Sequence, residues 1–326
     1  MNFGDIVALA IVTILWFGLC TVLTVLIHET GHFIFGKMSG YRLTGFAVAG
    51  LMIRNGKVRK YPSKRLSFGQ CFMCCENIDK DPRKLIAGGC VTNLVLGTLL
   101  SAVAVITLDL GDTGGVWRLM LISVPALINI VMGLTNLYGG SPMSDGNTLR
   151  DVREPDGKAM YNRIMMITAH LLDGRAFSEM PEELFGWSGD RNKCSLAAEL
   201  SMYDYYRRFE HLKNLDGFRK LLSEFGFDRN AETEPIFADE ESLERKIWNC
   251  VCGNSGSQYS EITEADARTP REVLVHYMWL KGSEKAFKSA VSELENPIFG
   301  LARSAIISRD ALNSVLNDGK GRRGKG

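Results

Sequence analysis

The chain has 326 residues, 38 Lys plus Arg against 37 Asp plus Glu, and a formal net charge of +1 at pH 7. That balance excludes a dedicated nucleic-acid binder with an extended basic surface, and 46% hydrophobic residues exclude a largely disordered chain. The 8 cysteines are scattered, several inside apolar runs, which speaks against a small disulfide scaffold and for free, reduced thiols.

The apolar residues are unevenly placed, and nearly all long charge-free runs precede Asp145. Ile6 to Ile27, Leu85 to Leu108 and Leu119 to Tyr138 carry no charged side chain. Roughly 20 helical residues cross a hydrocarbon core of about 30 Å, so each run predicts a membrane span. The first run does not read as a signal peptide, because it lacks a basic segment before it and its apolar stretch is too long. Lys37, Arg42, Arg54, Lys57, Arg59, Lys60, Lys64, Arg65, Lys80, Arg83 and Lys84 lie between the first two runs. Asp109 to Gly115, between the second and third, has no Lys or Arg. The positive-inside rule then places the N-terminus outside, and the basic loop and everything after residue 146 in the cytoplasm. A compact three-span core with a cytoplasmic tail fits a bacterial plasma membrane.

The first run continues without a break into His28-Glu29-Thr30-Gly31-His32. Helical residues four apart share a face, so the two imidazoles can hold one tetrahedral metal. Glu29 beside the first ligand can reach a metal-bound water as general base. Ionisable groups appended to a membrane helix are costly to bury and usually functional. Two histidines do not hold zinc tightly, and the best third ligand is Asp145, just beyond the third run. The first and third spans both run from outside to inside, so their ends reach the same depth, where His28, His32 and Asp145 can converge. Gly139, Gly140 and Pro142 are expected to interrupt the third helix just before Asp145. His170, His211 and His276 read as ordinary residues of the tail.

In these motifs the chain resembles the site-2 protease family of intramembrane zinc metalloproteases. His28-Glu29-Thr30-Gly31-His32 matches that family's H-E-x-G-H, and Gly89-Cys90-Val91-Thr92-Asn93 is similar to its G-P-x-x-N, with Cys90 in place of the proline. Asn136 to Gly146 is similar to its N-x-x-P-x-x-x-x-D-G segment. Gly139 stands where the first proline is expected, the spacing is one residue longer, and Met143-Ser144 replaces an apolar pair. The match covers roughly residues 6 to 150. The resemblance implies one Zn2+ held by His28, His32 and Asp145, with Glu29 as base, and a substrate that is a membrane protein cut at a transmembrane segment. It also implies a substrate-positioning role for Asn93, which is a candidate oxyanion donor as well, and a similar role for Asn136. Gly89, Asn93, Gly97 and Ser101 recur every four residues, a stripe for close helix approach.

Asn55-Gly56, flanked by Leu51-Met52-Ile53 and Val58, predicts a β-hairpin within Arg42 to Pro62. Such a hairpin can offer an edge to an extended substrate, while its basic residues also suit anionic headgroups of the lipid bilayer. Cys71, Cys74 and Cys75 form a C-x-x-C-C cluster, and Cys250 and Cys252 a close pair. Without a partner pair at ribbon spacing, both read as incidental cysteines.

The tail reads as helical through Met160 to Leu172, Ala197 to Phe225, Glu241 to Val251, Arg271 to Leu280, Ser283 to Leu294 and Ala302 to Leu316. The expected architecture is therefore mainly α. Residues 1–150 form a three-span transmembrane metalloprotease core with a short β-hairpin loop. Residues 151–317 form a soluble, repeat-like helical domain open to a soluble protein partner, and residues 318–326 a disordered basic tail. Tyr203, Tyr205 and Tyr206 read as packing. Against an endopeptidase stand a non-catalytic membrane scaffold with a structural metal site and a partner-binding tail, and a metal-ion transporter. Glu29 argues against the scaffold, since a structural site needs no base. The scarcity of polar groups in the outer halves of the spans argues against the transporter.

Overall fold

A computed structural model describes residues 3–60, 69–107, 113–139, 144–186, 193–225, 284–295 and 299–323. The chain divides into two compact units, Met1–Asn162 and Arg163–Gly326.

The first unit is organised by helices α1 (Phe3–Met38), α2 (Arg83–Ile106) and α3 (Thr113–Tyr138). Among the described residues these 3 helices are long and apolar enough to cross a membrane. At 1.5 Å per residue, the 36 residues of α1 make a rod of about 54 Å. The helix therefore continues well past Ile27, carrying the His28 to His32 segment in unbroken α geometry. Leu15, Phe17, Leu19 and Leu26 are exposed along it, as expected of a helix whose surroundings are lipid.

Glycines let the backbones meet. A Cβ on Gly31 of α1 would lie 2.5 Å from the Gly88 carbonyl oxygen, and one on Gly88 of α2 would lie 2.7 Å from that of Gly31. On the other side of α2, a Cβ on Gly97 would come 3.0 Å from the Ala126 carbonyl of α3. Within the expected small-residue stripe Gly97 thus faces α3, while the close approach to the α1 backbone is made by Gly88, one residue outside it. One buried polar link joins the outer pair: Asn129 of α3 donates from Nδ2 to Thr24 Oγ1 of α1 at 3.1 Å. Helix–helix hydrogen bonds of this kind in apolar surroundings contribute about 0.6–2 kcal/mol.

Between α1 and α2 lies a four-stranded antiparallel sheet of β1 (Arg42–Val48), β2 (Leu51–Arg54), β3 (Lys57–Lys60) and β4 (Gly69–Cys74), in the order β3-β2-β1-β4. The hairpin expected at Asn55-Gly56 is present, with φ of 49° and 70° at the two turn residues. A second two-residue turn at Ala49-Gly50, φ 50° and 78°, joins β1 to β2. Alanine is a poor signal for the left-handed region, which is why the sequence pointed to one hairpin and not to a sheet. β4 returns to pair with β1, setting Phe46 opposite Cys71 and Val48 opposite Gly69.

Helix α3 ends at Tyr138, where Gly139 takes φ 81°, the left-handed conformation that closes many helices. The chain re-enters a helix at α4 (Asp145–Asp151), whose N-cap Ser144 accepts from the Asn147 N–H. Asn147 Nδ2 donates back to the Gly139 carbonyl at 3.0 Å, and Gly146 lies directly against the Leu137 and Asn136 carbonyls. The expected helix break before Asp145 is thus a glycine stop followed by a capped restart. Gly140 and Pro142 lie outside the described residues. A buried Asn162 completes the unit, accepting from Tyr41 Oη at 2.9 Å and donating to the Ile78 and Lys80 carbonyls at 2.8 Å each.

Helix α5 (Gly157–Leu172) leads into the second unit, with α6 (Ser195–Glu210), α7 (Leu215–Glu224), α8 (Glu284–Glu295) and α9 (Phe299–Arg323). Met202, Tyr205, Phe209, Phe218, Leu222, Leu312 and Val315 share one core. Tyr205 is fully buried and Tyr203 donates from Oη to Glu199 at 2.6 Å, so these two tyrosines are packing residues. The helices expected at Glu241 to Val251 and Arg271 to Leu280 lie outside the described residues, and the described helices do not establish a repeat. The expected basic tail starts at Asp318, inside α9 (Phe299–Arg323). Helix α9 continues there, and Asp318 accepts the Leu215 N–H at the start of α7.

Candidate metal centre

His28 and His32 stand one turn apart on the same face of α1, their rings edge to face at an interplanar angle of 86°. Asp145, the first residue of α4, comes to meet them. His28 Nε2 lies 3.1 Å and His32 Nε2 3.4 Å from Asp145 Oδ2, and the two Nε2 atoms are 3.2 Å apart. A tetrahedron with metal–ligand bonds of about 2.0 Å has edges of about 3.3 Å. The three donor atoms therefore have the mutual spacing of ligands to one small divalent ion, and they form the metal-competent group found among the described residues. The donor chemistry, two imidazoles and a carboxylate, also suits zinc.

Helix α2 passes across the front of this group. A Cβ on Gly89 would lie 2.5 Å from His32 Nε2 and 2.7 Å from His28 Nε2, so only glycine leaves that face clear. The neighbouring Cys90 thiol donates to Asp145 Oδ2 at 3.2 Å. His32 Nδ1 sits 2.8 Å from the Leu85 carbonyl, and His28 Nδ1 sits 3.2 Å from Asn93 Nδ2. Both outer nitrogens are thus held by α2, while both inner ones face the carboxylate. Burial pushes the Asp145 carboxyl up, but hydrogen bonds from His28 and His32 outweigh it and hold the group below the ordinary carboxylate range.

Glu29 is buried beside the ligands, 7% exposed, and the Cys71 backbone N–H of β4 donates to its carboxylate. Gly69 makes room for it, since a Cβ there would lie 2.8 Å from Glu29 Oε1. Edge strand β4, rather than the β2–β3 hairpin, is therefore the strand beside the centre. Burial and the nearby Glu29 carboxylate push the Cys71 thiol well up, which keeps it protonated and non-nucleophilic. Cys74 and Cys75 are buried and free; Cys250 and Cys252 lie outside the described residues.

Of the residues singled out from sequence, His28, Glu29, His32 and Asp145 come together, and Asn93 joins them through His28. Asn136 does not belong to the group of three donors; it is half-buried in the last turn of α3, with its carbonyl against Gly146. Sequence reasoning passed over Gly89 as a steric clearance, the Cys90 thiol on Asp145 and the Cys71 amide on Glu29. Only the first had a signal, a glycine one turn before Asn93. No protein family, curated protein or solved structure matches this chain.

Proposed function

We propose that the chain is an intramembrane zinc metalloendopeptidase that hydrolyses peptide bonds of membrane proteins within or at the cytoplasmic edge of the bilayer. The observation that carries this reading is the meeting of three donor atoms from two separate helices at 3.1 to 3.4 Å, with a buried carboxylate next to them. His28, His32 and Asp145 would hold the ion. When bound, zinc supplies Lewis-acid charge and makes water ionise near neutral pH. Glu29 takes the proton from the attacking water and returns it to the leaving amine, and the Cys71 N–H fixes its carboxylate for that exchange. An ion held by three protein ligands would keep a position for water, which fits catalysis better than structure.

The resemblance to the site-2 protease family, carried by the motifs at His28 to His32, Gly89 to Asn93 and Asn136 to Gly146, supports the same reading. So does the placement of β4. An extended segment laid along an edge strand beside Glu29 exposes peptide bonds that a substrate helix would hide. The positive-inside rule supports a cytoplasmic position for the centre and the second unit, where a helical domain can engage a soluble partner.

The alternative is a non-catalytic membrane scaffold with a structural metal site; the Cys90 thiol, which donates to Asp145, is not one of the three convergent donor atoms. Glu29→Gln in purified full-length protein separates the two. Bound zinc should stay at the wild-type stoichiometry, while cleavage of a transmembrane peptide in detergent falls by about 10²–10⁴-fold. Cleavage that persists at the wild-type rate removes Glu29 from the mechanism, and a wild-type protein that binds zinc yet cuts no membrane-protein substrate leaves the scaffold.

A further inference from the structure

A half-open cavity of about 510 Å³ lies between the segment that leads into α2 and the turn that joins α4 to α5. Its size falls in the range of small-molecule sites, about 300–1,000 Å³. Six charged residues line it, Asp79, Arg83, Arg153, Glu154, Asp156 and Lys158, and no lining side chain is aromatic. Its two walls are held together. Asn162 of α5 donates to the Ile78 and Lys80 carbonyls at 2.8 Å each, and the Gly157 N–H donates to the Glu154 carbonyl at 3.0 Å. The cavity is thus pre-formed, and a ligand does not have to order it.

Its three cations and three carboxylates do not simply neutralise one another. Arg83 Nε donates to both oxygens of Asp81, outside the lining, at 2.9 Å each. Lys158 Nζ stands 3.8 Å from Asp81 Oδ2, at the limit of an ion pair. The Arg153 guanidinium and the Asp79 and Asp156 carboxylates keep no partner among the described residues. Unpaired charges of both signs in one cavity suit a zwitterion. A guanidinium takes a phosphate through paired N–H donors, and carboxylates accept from a primary ammonium. A quaternary ammonium has no N–H to donate and finds no aromatic ring to hold it. An anionic headgroup without an amine sets its charge against three carboxylates.

The cavity also has a place relative to the bilayer. Arg83 opens α2, whose residues Arg83–Ile106 are long and apolar enough to cross a membrane, and arginines at the end of such a helix reach headgroup depth. The i+4 row that starts at Arg83 continues through Ala87 to Val91, Val95 and Leu99, and these last three are exposed. Rows of this kind run at about 26° to the helix axis, so an acyl chain can follow this one away from the cavity. We propose that the cavity binds the headgroup of a phospholipid with a primary ammonium, phosphatidylethanolamine. Arg153 and Lys158 take the phosphate, and Asp79 and Asp156 the ammonium. The inference does not rest on the peptidase reading.

The test is native mass spectrometry of full-length protein in detergent, given equal amounts of dioleoyl phosphatidylethanolamine, phosphatidylcholine and phosphatidylglycerol. Wild type should retain the ethanolamine lipid in preference to the other two. Arg153→Ala should weaken that retention by about 10–100-fold, the loss of a hydrogen bond to a charged group. Asp79→Asn combined with Asp156→Asn should move the preference toward the glycerol headgroup, a change that a merely structural role does not produce. All three residues are exposed, and asparagine tolerates the φ of 65° at position 156, so these variants should fold. Equal retention of the three lipids by wild type overturns the proposal. So does wild-type retention by Arg153→Ala, or an unchanged preference in the double variant. Soluble glycerophosphoethanolamine, which has no acyl chains, should displace the lipid only weakly. Displacement as effective as by the lipid itself assigns the cavity to a free solute and overturns the lipid as its occupant.

Discussion

Each unit buries a carboxylate among polar partners, and the two clusters are finished in different ways. In the second unit Glu210 is 6% exposed; one oxygen accepts the Ser178 N–H and the other the Ser304 hydroxyl. That cluster is closed by the protein itself, as buried polar groups in structural cores usually are. In the first unit the Nε2 atoms of His28 and His32 and the Asp145 carboxylate converge on one another, and the neighbouring Asn93 Oδ1 has no hydrogen-bond partner among the described residues. A stability-driven core avoids such an arrangement. The contrast teaches that burial alone does not distinguish the two clusters, whereas donors converging on one point set the first apart.

The sharpest way to break this comparison is to fill the convergence point. Gly89→Ala puts a methyl within 2.5 to 2.7 Å of both imidazole Nε2 atoms, and the expected result is loss of stoichiometric Zn2+ binding. Overpacking of this kind costs about 1–3 kcal/mol, so the variant should still fold, and metal analysis of the purified protein checks the outcome. Stoichiometric binding by Gly89→Ala would mean that the ion does not sit between these rings.

The closed cluster should answer in the opposite way. Glu210→Ala strands the Ser178 N–H and the Ser304 hydroxyl and is expected to destabilise α6 and α9 by about 1–3 kcal/mol. Hydrogen exchange across these helices should report that loss while Zn2+ binding stays at the wild-type level. A drop in zinc affinity would show that the two clusters are not independent.

The smallest effect is expected at the exposed N-terminus of α2. The Arg83 guanidinium, hydrogen-bonded to Asp81, pulls the Asp81 carboxyl down to about 2. A depressed carboxylate stabilises the folded state above its unfolded pKa of about 3.9, and that contribution is lost as pH falls through about 2. The pair is solvent-screened, so Asp81→Asn should cost less than about 1 kcal/mol near neutral pH. The difference between variant and wild type should vanish in acid; thermal melts at several pH values would show it.

What could be read from the sequence was whatever depends on local pattern. The three apolar runs, the histidine pair at helical spacing and the Asn55-Gly56 turn all announce themselves within a few residues. Asp145 was reachable because two apolar runs read in the same direction are expected to end at one depth. What stayed hidden depends on contacts between distant segments. Nothing near Gly88 indicates that it would meet Gly31, nothing in Gly69 to Cys74 indicates that it would pair with β1 beside Glu29, and Asn162 shows its role only once Tyr41, Ile78 and Lys80 surround it.

The separation of Asp145 from the histidines along the chain has a consequence for biosynthesis. The ribosome makes His28 and His32 more than a hundred residues before their carboxylate partner, and that partner is positioned only by the glycine stop and the serine-capped restart behind it. A nascent chain carrying α1 alone therefore lacks the third donor, and the three atoms can converge only after α3 and the start of α4 have been made.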